Sequence, residues 1–121
     1  MAPVSIEGGI FDVSRYQELT NNTYSKNVVE IIGGNGSCIN GLHLNTTILG
    51  FRDANFPFSG TGVYITASAS ELAKGYTTNV NIESYIAHFE KGVVVENSSS
   101  AASEGVWMTD INIGGYISYC K

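Results

Sequence analysis

The chain has 121 residues and a net charge of −5, which fits one acidic domain of ordinary size. Hydrophobic residues make up 43% and charged residues 14%, and this balance excludes a charged disordered chain and a coiled coil. Lys and Arg together number only six, which disfavours nucleic acid as a partner. The apolar runs are short, so we expect no membrane insertion.

The first 27 residues do not fit the repeated pattern of the rest of the chain, and we assign residues 1–27 to an N-terminal cap segment. The run Ser14-Arg15-Tyr16-Gln17 has a capping-box pattern, with Tyr16 and Leu19 three residues apart. It predicts a short helix near residues 15–20. Such a helix would cover the open end of a stack of repeats, as terminal caps do in solenoids.

From residue 28 to residue 121 the chain repeats a unit of short strands. Three segments, starting at Leu42, Val80 and Ile111, share one spacing: apolar, any residue, apolar, three residues, Ile, two residues, then Phe or Cys. A Gly-led strand follows the first two copies, at 62–65 and 92–95. These fixed offsets predict a right-handed parallel β-helix of about three coils, with equivalent strands about 4.8 Å apart, and favour it over an antiparallel sandwich.

Two ends of this unit are incomplete. Val29 and Ile31 resemble the last strand of an earlier coil, closed by a turn at 33–36. The last copy ends at Lys121, before its Gly-led strand begins. We therefore expect a segment of a longer protein, truncated in mid-coil at its C-terminus.

Stacking the copies on one another places complementary residues in register. Such cross-strand neighbours stabilise a sheet by roughly 0.2–1 kcal/mol per contact. The predicted ladders are Arg52–Glu90–Lys121, Thr47–Tyr85–Tyr116 and His43–Asn81–Asn112.

Long connections and cysteines complete the pattern. The connections at 52–61, 66–79 and 96–105 are insertions of the kind that project from one face of a solenoid.

Cys120 holds an inward position, so we predict a buried free thiol. Cys38 lies about two coils away, too far for a disulfide.

Catalytic chemistry has only weak candidates in this sequence. No zinc spacing, phosphate-binding loop or nucleotide fingerprint is present, and we expect neither a metal nor a cofactor. Glycoside hydrolysis needs two carboxylates about 5–9.5 Å apart, and the candidates are Glu83, Asp53 and Asp110. Each of the three is also compatible with ordinary solvated surface.

Outward aromatic and amide side chains offer a second route to carbohydrate. An aromatic ring matches the apolar face of a pyranose, while Asn supplies hydrogen bonds. Exposed aromatic patches mark subunit contacts equally well, so both roles stay open. The candidates for either role are Tyr85, Tyr116, Asn81, Asn112, Phe56 and Phe58.

The unit from Asn79 to Val95 resembles the coils of the pectate-lyase-like right-handed parallel β-helix superfamily. Its Asn-rich turns and Phe-x-x-Gly-Val step most resemble bacteriophage tailspikes and related virion appendage proteins. The resemblance implies a homotrimer that binds, and in many members cleaves, bacterial surface polysaccharide during adsorption. It also implies a place on the virion tail, extracellular when acting. No catalytic motif of the family matches, so no catalytic residue is transferred.

The sequence therefore favours a β-helix segment of a tailspike or appendage involved in host-surface polysaccharide recognition. If the full-length protein is an enzyme, the resemblance implies a glycoside hydrolase or polysaccharide lyase, and we expect this segment alone to be inactive. Two alternatives stay open. One is a purely structural shaft or trimerisation segment of a virion fibre, and the other is part of a secreted bacterial polysaccharide lyase or adhesin.

Overall fold

A computed structural model describes residues 4–13, 26–34, 38–50, 59–68, 75–97, 106–118 and 120. Within these residues the chain is all-β, with nine strands and no helix. The strands are β1 Val4–Asp12, β2 Asn27–Gly34, β3 Cys38–Leu49, β4 Thr61–Ser68, β5 Gly75–Ile82, β6 Tyr85–Ala87, β7 Lys91–Asn97, β8 Val106–Ile113 and β9 Tyr116–Ser118.

The strands form two sheets in which every pairing is parallel. One sheet has the order β8-β5-β3-β6-β9, with β1 paired to β3, and the other has the order β2-β4-β7. The chain passes alternately through the two sheets, and we call one such pass a coil. β3 is long enough to pair with β5 through its first half and with β6 through its second half. Equivalent strands of successive coils are therefore stacked side by side, as in a solenoid.

The predicted register is confirmed at the positions that define the repeat. Leu42 pairs with Val80 and Val80 with Ile111, so the three copies begin at one level of the sheet. The Gly-led strands are also neighbours, with Val63 opposite Val93. β2 completes that sheet, as expected for the last strand of an earlier coil. Arg52 and Lys121 lie outside the described residues, and the charge ladder stays a prediction.

The prediction that residues before Val28 do not fit the repeat is wrong for residues 4–12. β1 pairs with β3 in the register of the repeat, with Val4 opposite Leu42. A bulge between Glu7 and Ile10 shifts the register and hides this copy from a search for fixed offsets. The helix predicted near residues 15–20 lies outside the described residues.

Aliphatic side chains fill the space between the two sheets. They come from alternate positions of the strands, as the period of two requires. The buried cluster consists of Ile31, Leu44, Ile48, Val63, Ile65, Val80, Ile82, Ile86 and Phe89. Cys120 packs against this cluster as a half-buried rather than a fully buried thiol, and both cysteines are free, as predicted.

Close packing between coils requires the glycine that is the second residue of β4 and of β7. A Cβ atom on Gly62 would lie 2.6 Å from Cγ2 of Ile86. A Cβ atom on Gly92 would lie at the same 2.6 Å distance from Cγ2 of Ile117. Because Ile86 and Ile117 are register partners, the same contact recurs in consecutive coils. The Gly-Val step of the sequence is therefore a packing requirement.

A buried threonine joins the two sheets. The Gly33 N–H of β2 donates a hydrogen bond to Thr77 Oγ1 over 3.0 Å. The Thr77 hydroxyl in turn donates to the Thr66 carbonyl oxygen of β4 over 2.9 Å. Thr77 has no solvent-exposed surface, so this hydroxyl satisfies main-chain groups that water does not reach.

Replacing Thr77 with Val is expected to lower the free energy of unfolding by about 1–3 kcal/mol, because the shape is kept while the buried Gly33 N–H loses its acceptor. The neighbouring Thr78 supplies the matched control, since its hydroxyl contacts Thr109 at an exposed position. Thr78→Val should change stability by less than about 0.5 kcal/mol. Urea unfolding followed by circular dichroism compares the two variants, and equal losses would contradict the assigned role of Thr77.

Candidate functional site

The outward face of β5 and the turn after it carries three of the predicted site residues. Asn81, Glu83 and Tyr85 alternate with the buried Ile82 and Ser84 along the chain. Alternation directs these three side chains to the same outer surface.

Each of these three residues lies beside an equivalent residue of the preceding coil. Asn81 is opposite His43, and Tyr85 is opposite Thr47. Between these pairs, the Glu83 N–H donates to the Leu44 carbonyl oxygen over 2.8 Å and so brings Glu83 beside Asn45.

The two tyrosines form a stack on this surface. Tyr85 and Tyr116 are register partners, and their ring centroids are 5.4 Å apart with an angle of 10° between the ring planes. Tyr85 is 38% exposed and Tyr116 is 60% exposed. The predicted tyrosine ladder is therefore confirmed, and the pair presents aromatic surface to solvent.

An open groove of about 490 Å³ runs across the coils beside this stack. Tyr85, Tyr116 and Glu83 line one part of it, and Asn45 and Thr47 line the part that belongs to the preceding coil. The backbone of Gly8 and Gly9, at the bulge in β1, forms the far end. The groove thus spans four successive coils, with a carboxylate, an amide and aromatic rings on its walls.

Ser84 stabilises the turn between β5 and β6, from which Glu83 and Tyr85 project. Its Oγ accepts a hydrogen bond from the Thr46 N–H and donates one to the Leu44 carbonyl oxygen, each over 3.2 Å. Ser84 is 1% exposed. In the next coil, Gly115 has φ +81°, and a Cβ atom there would lie 2.5 Å from the Ser84 carbonyl oxygen. This close packing fixes the direction in which Glu83 and Tyr85 leave the backbone.

A smaller hollow of about 190 Å³ lies next to the groove on the same outer face. Ser5, His43 and Asn81 line it. His43 Nε2 is 3.8 Å from Glu7 Oε1, so the histidine faces a carboxylate of the first coil. Asn112 continues this column as the exposed register partner of Asn81, which confirms the predicted asparagine ladder.

The sequence prediction missed the contribution of the first two coils to this surface. Asn45, Thr47, Glu7 and the glycines of the β1 bulge were not among the candidates. The signal that could have identified the first coil is the series Val4, Ile6 and Phe11, which matches Leu42, Leu44 and Ile48 once the bulge is allowed one extra residue.

The two carboxylate candidates that the structure describes, Glu83 and Asp110, do not come together. Glu83 lines the groove, whereas Asp110 corresponds to Asn79 in the coil of Glu83. Asn79 and Glu83 are four residues apart along the chain, or about 13 Å at the rise of a strand. Asp53, Phe56 and Phe58 lie outside the described residues, and their roles stay predictions.

Asp110 has a structural explanation for its identity. Gly41, Asn79 and Asp110 occupy one column of the sheet, and their φ angles are +92°, +56° and +54°. Gly, Asn and Asp are the residues that adopt this left-handed conformation most readily. A positive φ angle at this position therefore explains the residue type in three successive coils.

The part of the chain that the structure describes contains neither a cluster of metal ligands nor a membrane-spanning helix. There, no three His, Cys, Asp or Glu side chains are grouped so that they could hold a metal ion. The same residues include no helix with the length and apolar character needed to cross a membrane. Comparison of the chain with protein-family models, with curated proteins and with solved structures found no match.

The tyrosine stack should contribute measurably to stability. A double-mutant cycle with Tyr85→Ala and Tyr116→Ala is expected to give a coupling energy of about 0.5–1.5 kcal/mol, since stacked rings stabilise beyond the area they bury. Urea unfolding of the four proteins measures it. A cycle between Tyr85→Ala and Tyr64→Ala, on the other sheet, is the control and should be additive. Additivity in both cycles would show that the rings do not stack.

Substitution of Asp110 separates a backbone role from a chemical role. Asp110→Gly should leave the free energy of unfolding unchanged or slightly raised, because Gly adopts a positive φ freely. Asp110→Val should lower it by about 1–2 kcal/mol, because a β-branched residue is strained there. Thermal unfolding compares the two variants, and equal losses would contradict the backbone explanation.

Proposed function

We propose that this chain is a β-helix segment of a bacteriophage tailspike or related virion appendage and that its outer face recognises polysaccharide of the bacterial surface. The observation that carries the proposal is the groove beside the Tyr85–Tyr116 stack. The groove combines exposed aromatic faces with hydrogen-bonding groups, which is the combination that carbohydrate recognition uses.

The fold supports this proposal through its geometry. Parallel strands stacked coil upon coil give a long, straight outer surface, and solenoids use such surfaces to bind extended ligands. A polysaccharide is an extended chain of rings, and the groove crosses four coils. We propose the finer architecture as the right-handed parallel β-helix that the sequence resemblance implies.

Assembly of the proposed appendage would bring three chains together. Apolar side chains are exposed at both ends of the described stack, with Ile10 at 67% and Ile117 at 42%. Further coils or neighbouring chains would cover such surfaces. Under the alternative of a structural shaft, the same contacts would form without glycan binding. A secreted lyase or adhesin would instead act as a monomer.

Binding and cleavage make different demands on the groove. Glu83 is the carboxylate that lines the groove among the described residues. Hydrolysis would need a second carboxyl group about 5–9.5 Å away. Glu7 lies two strands from Glu83, or about 9.6 Å by the strand spacing, with its carboxylate near His43. Release of reducing ends in the binding assay would extend the proposal to depolymerisation.

Binding to immobilised bacterial capsular and lipopolysaccharide glycans tests the proposal. We expect wild-type chain to bind at least one of them, and we expect Tyr85→Ala and Tyr116→Ala each to weaken binding by about tenfold, or 1.4 kcal/mol. Tyr64→Ala, on the other sheet, is the matched control and should bind as wild type does.

Light scattering on a sizing column supplies the mass of the same samples. Absence of binding to every glycan, with an intact trimer, would overturn recognition in favour of the shaft. A well-folded monomer that binds would contradict trimerisation within this segment and favour the secreted adhesin or lyase.

A further inference from the structure

The tyrosine column ends abruptly inside the groove. Tyr116 and Tyr85 are stacked, but the next residue of the column is Thr47, a much smaller side chain. One face of the Tyr85 ring is covered by Tyr116. The opposite face is turned toward the coil of Thr47, where the groove lies.

The missing side chain leaves a slot of defined size. Register partners in adjacent strands are about 4.8 Å apart, so the space over Thr47 can hold one flat ring in contact with Tyr85. In the coil below, Ile10 is the register partner of Thr47, and the bulge glycines Gly8 and Gly9 line the groove without adding a side chain. A ring placed there would continue the aromatic stack by one step.

The charge around the slot is negative. The Glu83 carboxylate lies on its wall, and Glu7 lies in the same column, beyond Asn45. No Lys or Arg lines the groove in the described part of the chain. The hydroxyl groups of a sugar would donate to Glu83 and to the amide oxygen of Asn45, whereas a sugar carboxylate would be repelled.

We propose that this slot, between the free face of Tyr85 and Thr47, is a subsite for a single pyranose ring that is neutral or carries an amino group, and that Glu83 rejects uronic acids. The subsite rests on the proposed recognition of polysaccharide and adds the class of sugar. Thr47 and Glu83 are then the residues that determine specificity, one by size and the other by charge.

The size of the slot is tested by Thr47→Tyr, which extends the tyrosine column into it. We expect this variant to fold with at least wild-type stability and to lose glycan binding by tenfold or more. Val94→Tyr is the matched control, because Val94 is the register partner of Tyr64 on the other sheet. Unchanged binding by the Thr47→Tyr variant would overturn the slot.

The charge preference is tested with one polysaccharide in two forms. The probes are a uronate-containing capsular polysaccharide and the same polymer after chemical reduction of its carboxyl groups, together with a neutral glucan and a chitin oligosaccharide. Wild-type chain should bind reduced or neutral forms at least tenfold more tightly than the uronate form. Glu83→Gln should reduce that preference, while Glu96→Gln, on the other sheet, should retain it.

The outcomes separate this inference from the proposed function. Equal or tighter binding of the uronate form, still dependent on Tyr85, would overturn the subsite and leave polysaccharide recognition standing. A preference for neutral sugars that Glu83→Gln does not alter would remove Glu83 as its cause. Absence of binding to every probe and to the bacterial glycans would overturn both.

Discussion

Parallel, in-register stacking of the coils is the constraint on which the rest of the structure depends. Each paired strand residue has a counterpart about 4.8 Å away in the neighbouring coil, so its side chain must fit the one beside it. This requirement explains why Gly62 and Gly92 are the second residues of their strands, where any Cβ atom would meet an isoleucine. It also explains why Tyr85 and Tyr116 meet as a stacked pair. The outer surface is therefore determined by which residues are stacked at each register position.

The same constraint makes the turn between β5 and β6 a rigid support for the candidate site. The buried hydroxyl of Ser84 is bonded to main-chain groups of the preceding coil, and Gly115 packs against the Ser84 backbone. Thr77 performs a comparable role between the two sheets. Buried hydroxyls that satisfy main-chain groups hold the turns in one geometry. Side chains on the outer face of these turns, such as Glu83, consequently project from an ordered backbone.

Periodicity made much of this fold predictable from the sequence. Fixed offsets between apolar residues identified the parallel register, and the partners of Tyr85 and Asn81 followed from it by alignment alone. The first coil was missed because the bulge between Glu7 and Ile10 changes the spacing by local backbone geometry, which apolar periodicity does not encode.

The groove was harder to predict, because small residues form it and no sequence motif marks it. A small residue at Thr47 and the glycines of the β1 bulge leave space beside Tyr85, and each is unremarkable in the sequence. Asp110 became a catalytic candidate through its chemistry. Its column with Gly41 and Asn79 adds a structural explanation for the residue type, because all three residues have a positive φ.

The most direct test of this account is the pattern of nuclear Overhauser contacts in the isotopically labelled chain. The account predicts contacts that connect Leu42, Val80 and Ile111 along one line. It also predicts contacts between the rings of Tyr85 and Tyr116. Contacts between strands that run in opposite directions, as in an antiparallel sandwich, would contradict the stacking of coils. The groove and the proposals that rest on it would then lose their foundation.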